Sequence, residues 1–289
     1  MVGYPDPDAV LADPEVAAVV VATPVGSHSL LVEEALRQGK SVLCEKPLAT
    51  TAQEAQSLVG LARQRGLMLM VGHTFLYSPA VQLVADLVRR GELGELLYAQ
   101  SSRVNLGIHR SDVSVIWDLG PHDLSILLDW VGEVPTRVSA FGRSSIDNSP
   151  TDVAFIDLSF PSGFVANLHL SWLAPRKVRR TTLVGRDKML IYEDTNSEEP
   201  VKIYDMGLAV PDPTSFGENR LIYRTGDIRS PRVEMWEPLR AELADFLDRV
   251  SRADIPGPAE ETAVDVVRTL EAAEVSLQAG VAVDVDQRA

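Results

Sequence analysis

AAVVVATP at residues 17–24, SVLCEKP at 41–47 and LMLMV at 67–71 are three short apolar runs separated by stretches of a different period. Val19 to Ala22 is continuous and largely β-branched, the pattern of a strand covered on both faces, as in a parallel sheet. From Ser27 onward Leu30, Leu31, Ala35 and Leu36 recur at helical spacing, and Gly39 stands where a left-handed C′ residue belongs. Ser41 to Cys44 reads as the second strand. Thr51 then caps a helix that carries Leu58 and Leu61 and stops at Gly66, with Glu54 at capping-box spacing. Leu67 to Val71 is the third strand. This β-α-β-α-β succession is half of a doubly wound parallel sheet, whose crossovers are right-handed. The usual strand order puts a further strand beside Val19 to Ala22, together with a glycine-rich phosphate-binding turn, yet the chain has no G-x-G-x-x-G. The expectation is a domain that lacks its first βαβ through truncation and leaves an apolar strand edge open, an aggregation hazard. A fold that never had those residues is the alternative.

From Ser78 the period changes. Val81, Val84, Ala85 and Val88 mark a helix, Leu96 to Val104 a strand, and Trp117 to His122 the opening of a further helix. Between residues 135 and 204, VSAFGRS, VAFIDLSF, FVANLHLSW and MLIYED alternate apolar with polar, separated by turn residues such as Pro161-Ser162-Gly163. That is an antiparallel sheet with one face covered and one free. Residues 205–231 read as a long loop, and amphipathic helices over about 238–251 and 260–279 end the chain. The fold class is α/β joined to α+β. A partial doubly wound parallel sheet over residues 1–75 forms a dinucleotide-binding domain lacking its first βαβ, and residues 76–289 form a second domain with a large, mostly antiparallel sheet.

A length of 289 residues accommodates two cores, and 45% apolar residues describe a globular protein. No apolar run approaches the roughly 20 residues of a membrane span, and MVGYPDPD carries no secretory signal, so the expected location is cytoplasmic. The single cysteine, Cys44, excludes an internal disulfide and a multi-cysteine zinc site. A net charge of −14 argues against nucleic acid as a partner.

Two segments carry chemistry. Glu45-Lys46-Pro47 closes the second strand, and Trp117-Asp118-Leu119-Gly120-Pro121-His122 follows later. Together they hold a cation, a carboxylate and an imidazole, the set needed to move a proton while a hydride moves elsewhere. An ammonium at the carboxyl end of a strand can orient a substrate hydroxyl or relay its proton; a surface lysine before a turn proline is the other reading. His122 can take a proton from an alcohol and return it, and Asp118, one helical turn earlier, can hold the ring or a substrate hydroxyl. An N-cap carboxylate followed by a packed histidine is the alternative there.

In these segments the chain resembles the Gfo/Idh/MocA family of NAD(P)-dependent oxidoreductases, which act on sugars, sugar nucleotides and cyclitols. The resemblance covers residues 15–289. It rests on Ala22-Thr23-Pro24 with His28, on Glu45-Lys46-Pro47, on Asp118-x-Gly120-x-His122, and on the C-terminal LEAAEVSLQAG. It implies a Rossmann domain, NAD or NADP as cofactor, and catalytic roles for Lys46, His122 and Asp118. Thr23, Pro24, His28, Glu45, Lys46 and Pro47 would border the cofactor, with a Lys46–Pro47 bond that is often cis in relatives. Arg103, Asn105, Asp118 and His122 would meet the substrate. His28 fits the first turn of a helix equally well, and Arg103 and Asn105, two apart on one face, fit an ordinary strand. Many relatives carry an aspartate three residues beyond the histidine, where this chain has Ser125, with Asp123 adjacent instead.

His73 is a weaker candidate for the nicotinamide side. His109 and His169 read as loop and strand-surface residues, and no histidine spacing suggests a metal site. Arg176, Lys177, Arg179 and Arg180 would suit a diphosphate or a solvated turn. Gly226-Asp227-Ile228-Arg229-Ser230-Pro231 with Glu237-Pro238-Leu239 resembles relatives that act at the 3-position of nucleotide-linked sugars. The resemblance therefore implies hydride transfer between NAD(P) and a sugar-like alcohol or ketone, and a homo-oligomer formed through the C-terminal sheet. The rival is a non-catalytic dinucleotide- or sugar-binding regulatory protein of the same fold, or an inactive fragment.

Overall fold

The structure, a computed structural model, describes residues 3, 6–107, 110–146, 149–209 and 222–285. In chain order its elements begin with helix α1 (Pro7–Ala12), strand β1 (Ala18–Val21), α2 (His28–Arg37), β2 (Ser41–Glu45), α3 (Ala52–Arg65) and β3 (Leu69–Gly72). Then come α4 (Pro79–Arg89), β4 (Leu96–Leu106), α5 (Val115–Val131), β5 (Arg137–Arg143), β6 (Val153–Ser159), β7 (Val165–Ser171), β8 (Leu173–Gly185) and β9 (Met189–Glu193). The remainder is β10 (Val201–Tyr204), β11 (Gly207–Ala209), β12 (Ile222–Arg224), β13 (Ile228–Arg229), α6 (Pro238–Ser251), α7 (Pro258–Ala279) and β14 (Val283–Asp284). Two compact units result: Met1–Tyr77 with Glu237–Ala272, and Ser78–Trp236 with Ala273–Ala289.

The first unit holds a parallel sheet in the order β1-β2-β3, with Val21 opposite Cys44 and Cys44 opposite Val71. Ser41 to Cys44 of β2 and all of β3 are buried because both of their faces are covered, whereas Val20 on the edge strand β1 is 55% exposed. Thr51 caps α3 through its Oγ1, which accepts from the Glu54 amide at 3.2 Å, and Gly66 ends the helix at a φ of 64°. Residues 237–272 were expected in the second domain, but they belong to the first unit. The reason is the apolar stripe of α6, whose Phe246 closes a cluster with Leu43, Met68 and Met70. Burying one such aromatic side chain contributes roughly 2–3 kcal/mol.

The second unit is built on a nine-stranded sheet in the order β13-β10-β9-β8-β4-β7-β6-β5-β14. Only β4 and β7 pair in parallel; the remaining pairs are antiparallel. The alternation seen in the sequence is the alternation of the pleat: Ala154, Ile156 and Leu158 of β6 are buried, while Asp157 and Ser159 between them are exposed. Helix α5 lies against β4, β6 and β7 and covers that inner face.

Three expectations change here. Arg176, Lys177, Arg179 and Arg180 lie within the 13-residue strand β8, not in a turn, because Leu173–Gly185 pairs along β4 and β9. Residues 117–122 lie inside α5, which opens at Val115 after Ser114, since that N-cap precedes the first buried turn. The segment 205–231 contains β11, β12 and β13 rather than loop alone, and its residues 210–221 lie outside the described residues. No helix of the described residues is long and apolar enough to cross a membrane.

Candidate active site

In the first unit the polar groups collect at the carboxyl ends of the parallel strands, where open α/β sheets bind ligands. Thr23 and Pro24, just past β1, are exposed. Their loop is braced by Ser27, whose hydroxyl lies 2.8 Å from Thr23 Oγ1 and donates to the Pro24 carbonyl at 2.8 Å. Past β2, Glu45 and Lys46 are half-buried, the Lys46 amide donates to Glu45 Oε2 at 3.3 Å, and the Lys46–Pro47 bond is cis. His28 is turned inward: it is 1% exposed, with Nδ1 2.8 Å from the Pro47 carbonyl and Nε2 2.8 Å from the Thr23 carbonyl. Expected to border the cofactor, it instead joins the two loops that were expected to do so.

Past β3, His73 is buried, and neither ring nitrogen has a hydrogen-bond partner among the described residues. Burial, reinforced by the nearby Lys46 charge, lowers its pKa to about 4, so at neutral pH the imidazole is uncharged. Glu242 of α6 joins the same cluster and was not singled out from the sequence. It is 1% exposed, Thr74 Oγ1 donates to its Oε2 at 2.8 Å, and Oε1 has no partner among the described residues. Burial raises its pKa to about 7; the Thr74 hydrogen bond opposes the shift and the charges of Glu45 and Glu237 add to it. One turn on, Tyr77 donates to Asp245 at 2.7 Å. The available signal was a carboxylate on the stripe that α6 otherwise fills with Phe246, a position where an unpaired charge is costly.

The second unit contains a cavity of about 450 Å³ lined by Asn105, Gly107, Arg110, Asp118, Leu119 and Trp172. Asp118 is held on both oxygens. The buried Trp172 donates from Nε1 to Oδ2 at 3.0 Å, and Arg110 Nη1 lies 3.5 Å from Oδ1. Arg110 is in turn fixed by a two-point pair with Asp112 at 3.0 Å each. His122 sits one turn beyond Asp118 on α5, half-buried, and its carbonyl accepts from Ser125 Oγ at 3.0 Å. Pro121 lacks the N–H that would close on the Trp117 carbonyl, so the helix ladder is interrupted beside both side chains.

Arg103 does not share this cavity with Asn105. It is 4% exposed, and its Nε donates to Asp123 Oδ2 at 2.6 Å. Ser101 Oγ donates to Asp123 Oδ1 at 2.7 Å and lies 2.9 Å from Thr181 Oγ1. A substrate contact needs access, which this burial denies Arg103. The pair ties β4 to α5 from within, and it explains why Asp123 is acidic although Ser125 occupies the position many relatives give to aspartate. Arg179, opposite Arg103 across the β4–β8 pairing, forms an ion pair with Asp194 at 2.8 Å. His169 lies on the open face of β7, stacked on Phe155 at 4.5 Å, and His109 lies outside the described residues. Among the described residues no group of three His, Cys, Asp or Glu side chains could hold a metal.

The structure thus brings Thr23, Glu45, Lys46 and Pro47 together in the first unit, and Asp118 and Asn105 together in the second. Comparison with known proteins identifies the scaffold. Residues 2–73 match the family model described as "Oxidoreductase family, NAD-binding Rossmann fold", and residues 81–191 match the GFO/IDH/MocA C-terminal domain. The chain is 30% identical over 251 residues to the UDP-N-acetylglucosamine 3-dehydrogenase of Acidithiobacillus ferrooxidans, covering 86% of this chain and 74% of that protein. The solved structure of that enzyme superimposes with a TM-score of 0.76 at 28% identity, over 96% of this chain and 83% of the other. The dTDP-3,4-didehydro-2,6-dideoxy-alpha-D-glucose 3-reductase of Actinomadura kijaniata is 44% identical over 137 residues, spanning 47% of this chain and 39% of its own length. On these matches and on the two folded units that carry them, the chain belongs to the GFO/IDH/MocA oxidoreductase family, its first unit an NAD-binding Rossmann fold.

Proposed function

We propose that this protein oxidises or reduces a sugar, most specifically carbon 3 of a nucleotide-linked sugar, with NAD(P) as hydride carrier. The observation that carries the reading is Asp118, fixed through both oxygens by Trp172 and Arg110 at the wall of a cavity of about 450 Å³. A carboxylate already held in place accepts a hydrogen bond from a sugar hydroxyl without paying for its own ordering. Asn105 offers an amide to a neighbouring hydroxyl in the same cavity. His122, one turn along α5, takes the alcohol proton during oxidation and returns it during reduction. Lys46 orients the reacting hydroxyl and stabilises the negative charge that grows on its oxygen.

A dinucleotide fits the residues of the first unit: an exposed Thr23-Pro24 loop and a half-buried lysine stand at the carboxyl ends of parallel strands. Thr23, Pro24, Glu45, Lys46 and Pro47 would hold it. The chemistry it supplies when bound is acceptance or return of a hydride. Two 3-position enzymes of nucleotide-linked sugars among the relatives support the substrate class.

Turnover of UDP-N-acetylglucosamine with NAD and with NADP, followed by nicotinamide absorbance, tests this. Lys46→Ala and His122→Ala should each lower kcat at least about a hundredfold. Full turnover in both variants would remove them from the chemistry. We further place a second copy of this chain on the open face of the nine-stranded sheet. Support comes from the row Phe141, Phe155 and His169, stacked across β5, β6 and β7, and from Phe141, Tyr98 and Val165, each more than two-fifths exposed.

A further inference from the structure

We infer that His28 is a positioning residue that holds Lys46 in place, and that it does so without touching cofactor or substrate. The inference rests on the proposed role of Lys46. The pairing of β1 with β2 ends at Val21 opposite Cys44. Beyond that point the two strands have no ladder between them, yet Thr23 and Pro47 are the residues that must present their loops in fixed order. The imidazole takes over where the ladder stops. Its Nδ1 lies 2.8 Å from the Pro47 carbonyl and its Nε2 2.8 Å from the Thr23 carbonyl. Two acceptors nineteen and five residues away in the chain are thereby tied to one rigid ring, itself anchored as the first residue of α2.

The chemistry of the ring makes this a specific device. The Pro47 and Thr23 carbonyls can only accept, so the ring supplies the hydrogen that faces them. A phenyl ring of similar size fills the space but engages neither. Lys46 directly precedes Pro47, so a Pro47 carbonyl that swings free lets the lysine backbone turn with it. The side chain at 28 then acts on kcat, whereas a residue that only contacted the cofactor would act on its KM and leave kcat intact. At 1% exposure the ring has no surface to offer a ligand.

Two measurements test the clamp. Proton–nitrogen correlation spectra of the histidine rings in the protein without cofactor should show a slowly exchanging ring N–H signal that vanishes in His28→Phe. A His28 ring whose N–H exchanges freely with water would overturn the clamp whatever the enzyme does. In steady-state kinetics His28→Phe should lower kcat about tenfold or more, whatever the change in KM for the dinucleotide. A raised KM with kcat intact would make His28 a cofactor contact and overturn the assignment. If instead Lys46→Ala retains full turnover while the slowly exchanging ring N–H signal is present, the catalytic reading of Lys46 fails and the bridge between the loops stands.

Discussion

Replacing Glu242 by glutamine removes a proton-binding site from the interior of the first unit, and its effect on stability should change with pH. The carboxyl is 1% exposed, and its pKa is raised from 4.5 to about 7, by burial first and then by Glu45 and Glu237 against the pull of Thr74. Tyr77, which feels the charge of Glu242, also faces Asp245 and Arg249, and the buried, neutral His73 faces Lys46. Below 4.5 both folded and unfolded chains carry the proton, and Glu242 costs nothing. As pH rises toward 7 the unfolded chain releases the proton while the folded chain keeps it, so stability falls; above 7 the loss is complete. Glutamine, which mimics the protonated acid, escapes this. The stability of Glu242→Gln minus that of the parent should therefore grow by about 2–3 kcal/mol between about pH 5 and about pH 8.

Urea melts followed by circular dichroism at the two pH values measure that difference, and constant offsets such as the buried amide of glutamine cancel. Tryptophan emission would report on the other unit, because Trp117, Trp130, Trp172 and Trp236 all lie within Ser78–Trp236. His73 adds an opposing slope. Its pKa is lowered from 6.5 to about 4, so stability falls as pH drops through that window. In the parent the two slopes offset each other between 4.5 and 6.5, and in Glu242→Gln the acid sensitivity of His73 stands alone. A pH-independent difference between variant and parent would refute the titration of Glu242.

Two further outcomes follow from the second unit. Arg103→Met leaves Asp123 buried without its cation and should cost about 3–5 kcal/mol in urea melts followed by tryptophan emission; Arg103→Met with Asp123→Leu should recover much of that loss. A double variant no more stable than the single one would show that the pair is not what sets the cost. Phe141→Asp places a charge in the stacked row on the open sheet and should convert an oligomer to monomers in sedimentation velocity, with no loss of helical circular dichroism. An unchanged sedimentation coefficient would move the subunit contact elsewhere.

The three strands of the first unit are legible because each carries an uninterrupted apolar run bounded by glycine and threonine caps; both faces are buried in β2 and β3, while β1 reads the same although Val20 is exposed. Strand β8 is not. Its outward residues are Arg176, Lys177 and Arg180, and Pro175 stands among them, so the alternation is drowned by charge and only pairing with β4 reveals it. Arg103 and Asn105 illustrate a second limit. A spacing of two gives a shared face but not the local bend or the partner, and Asp123, twenty residues on, takes Arg103 out of reach. Lys46, Asp118 and His122 are visible as motif positions. Glu242 is not, because its hydroxyl partner Thr74 lies 168 residues away and no local pattern links them. His28 is visible as a residue but not as a role, since helical spacing does not say whether a first-turn ring faces solvent or the neighbouring loop.

Phe246 carries a consequence for how this chain is made. On the ribosome Leu43, Met68 and Met70 emerge more than 170 residues before the ring that closes their cluster. The second unit waits as well, because β14 supplies Val283 opposite Val138 on β5. Neither core is finished until these late segments are made, and in the interval the nascent chain carries apolar surface from both halves. A protein wired in this way has a long vulnerable period during translation and gains more than most from slow codons or a holding chaperone while residues 246 to 283 are being made.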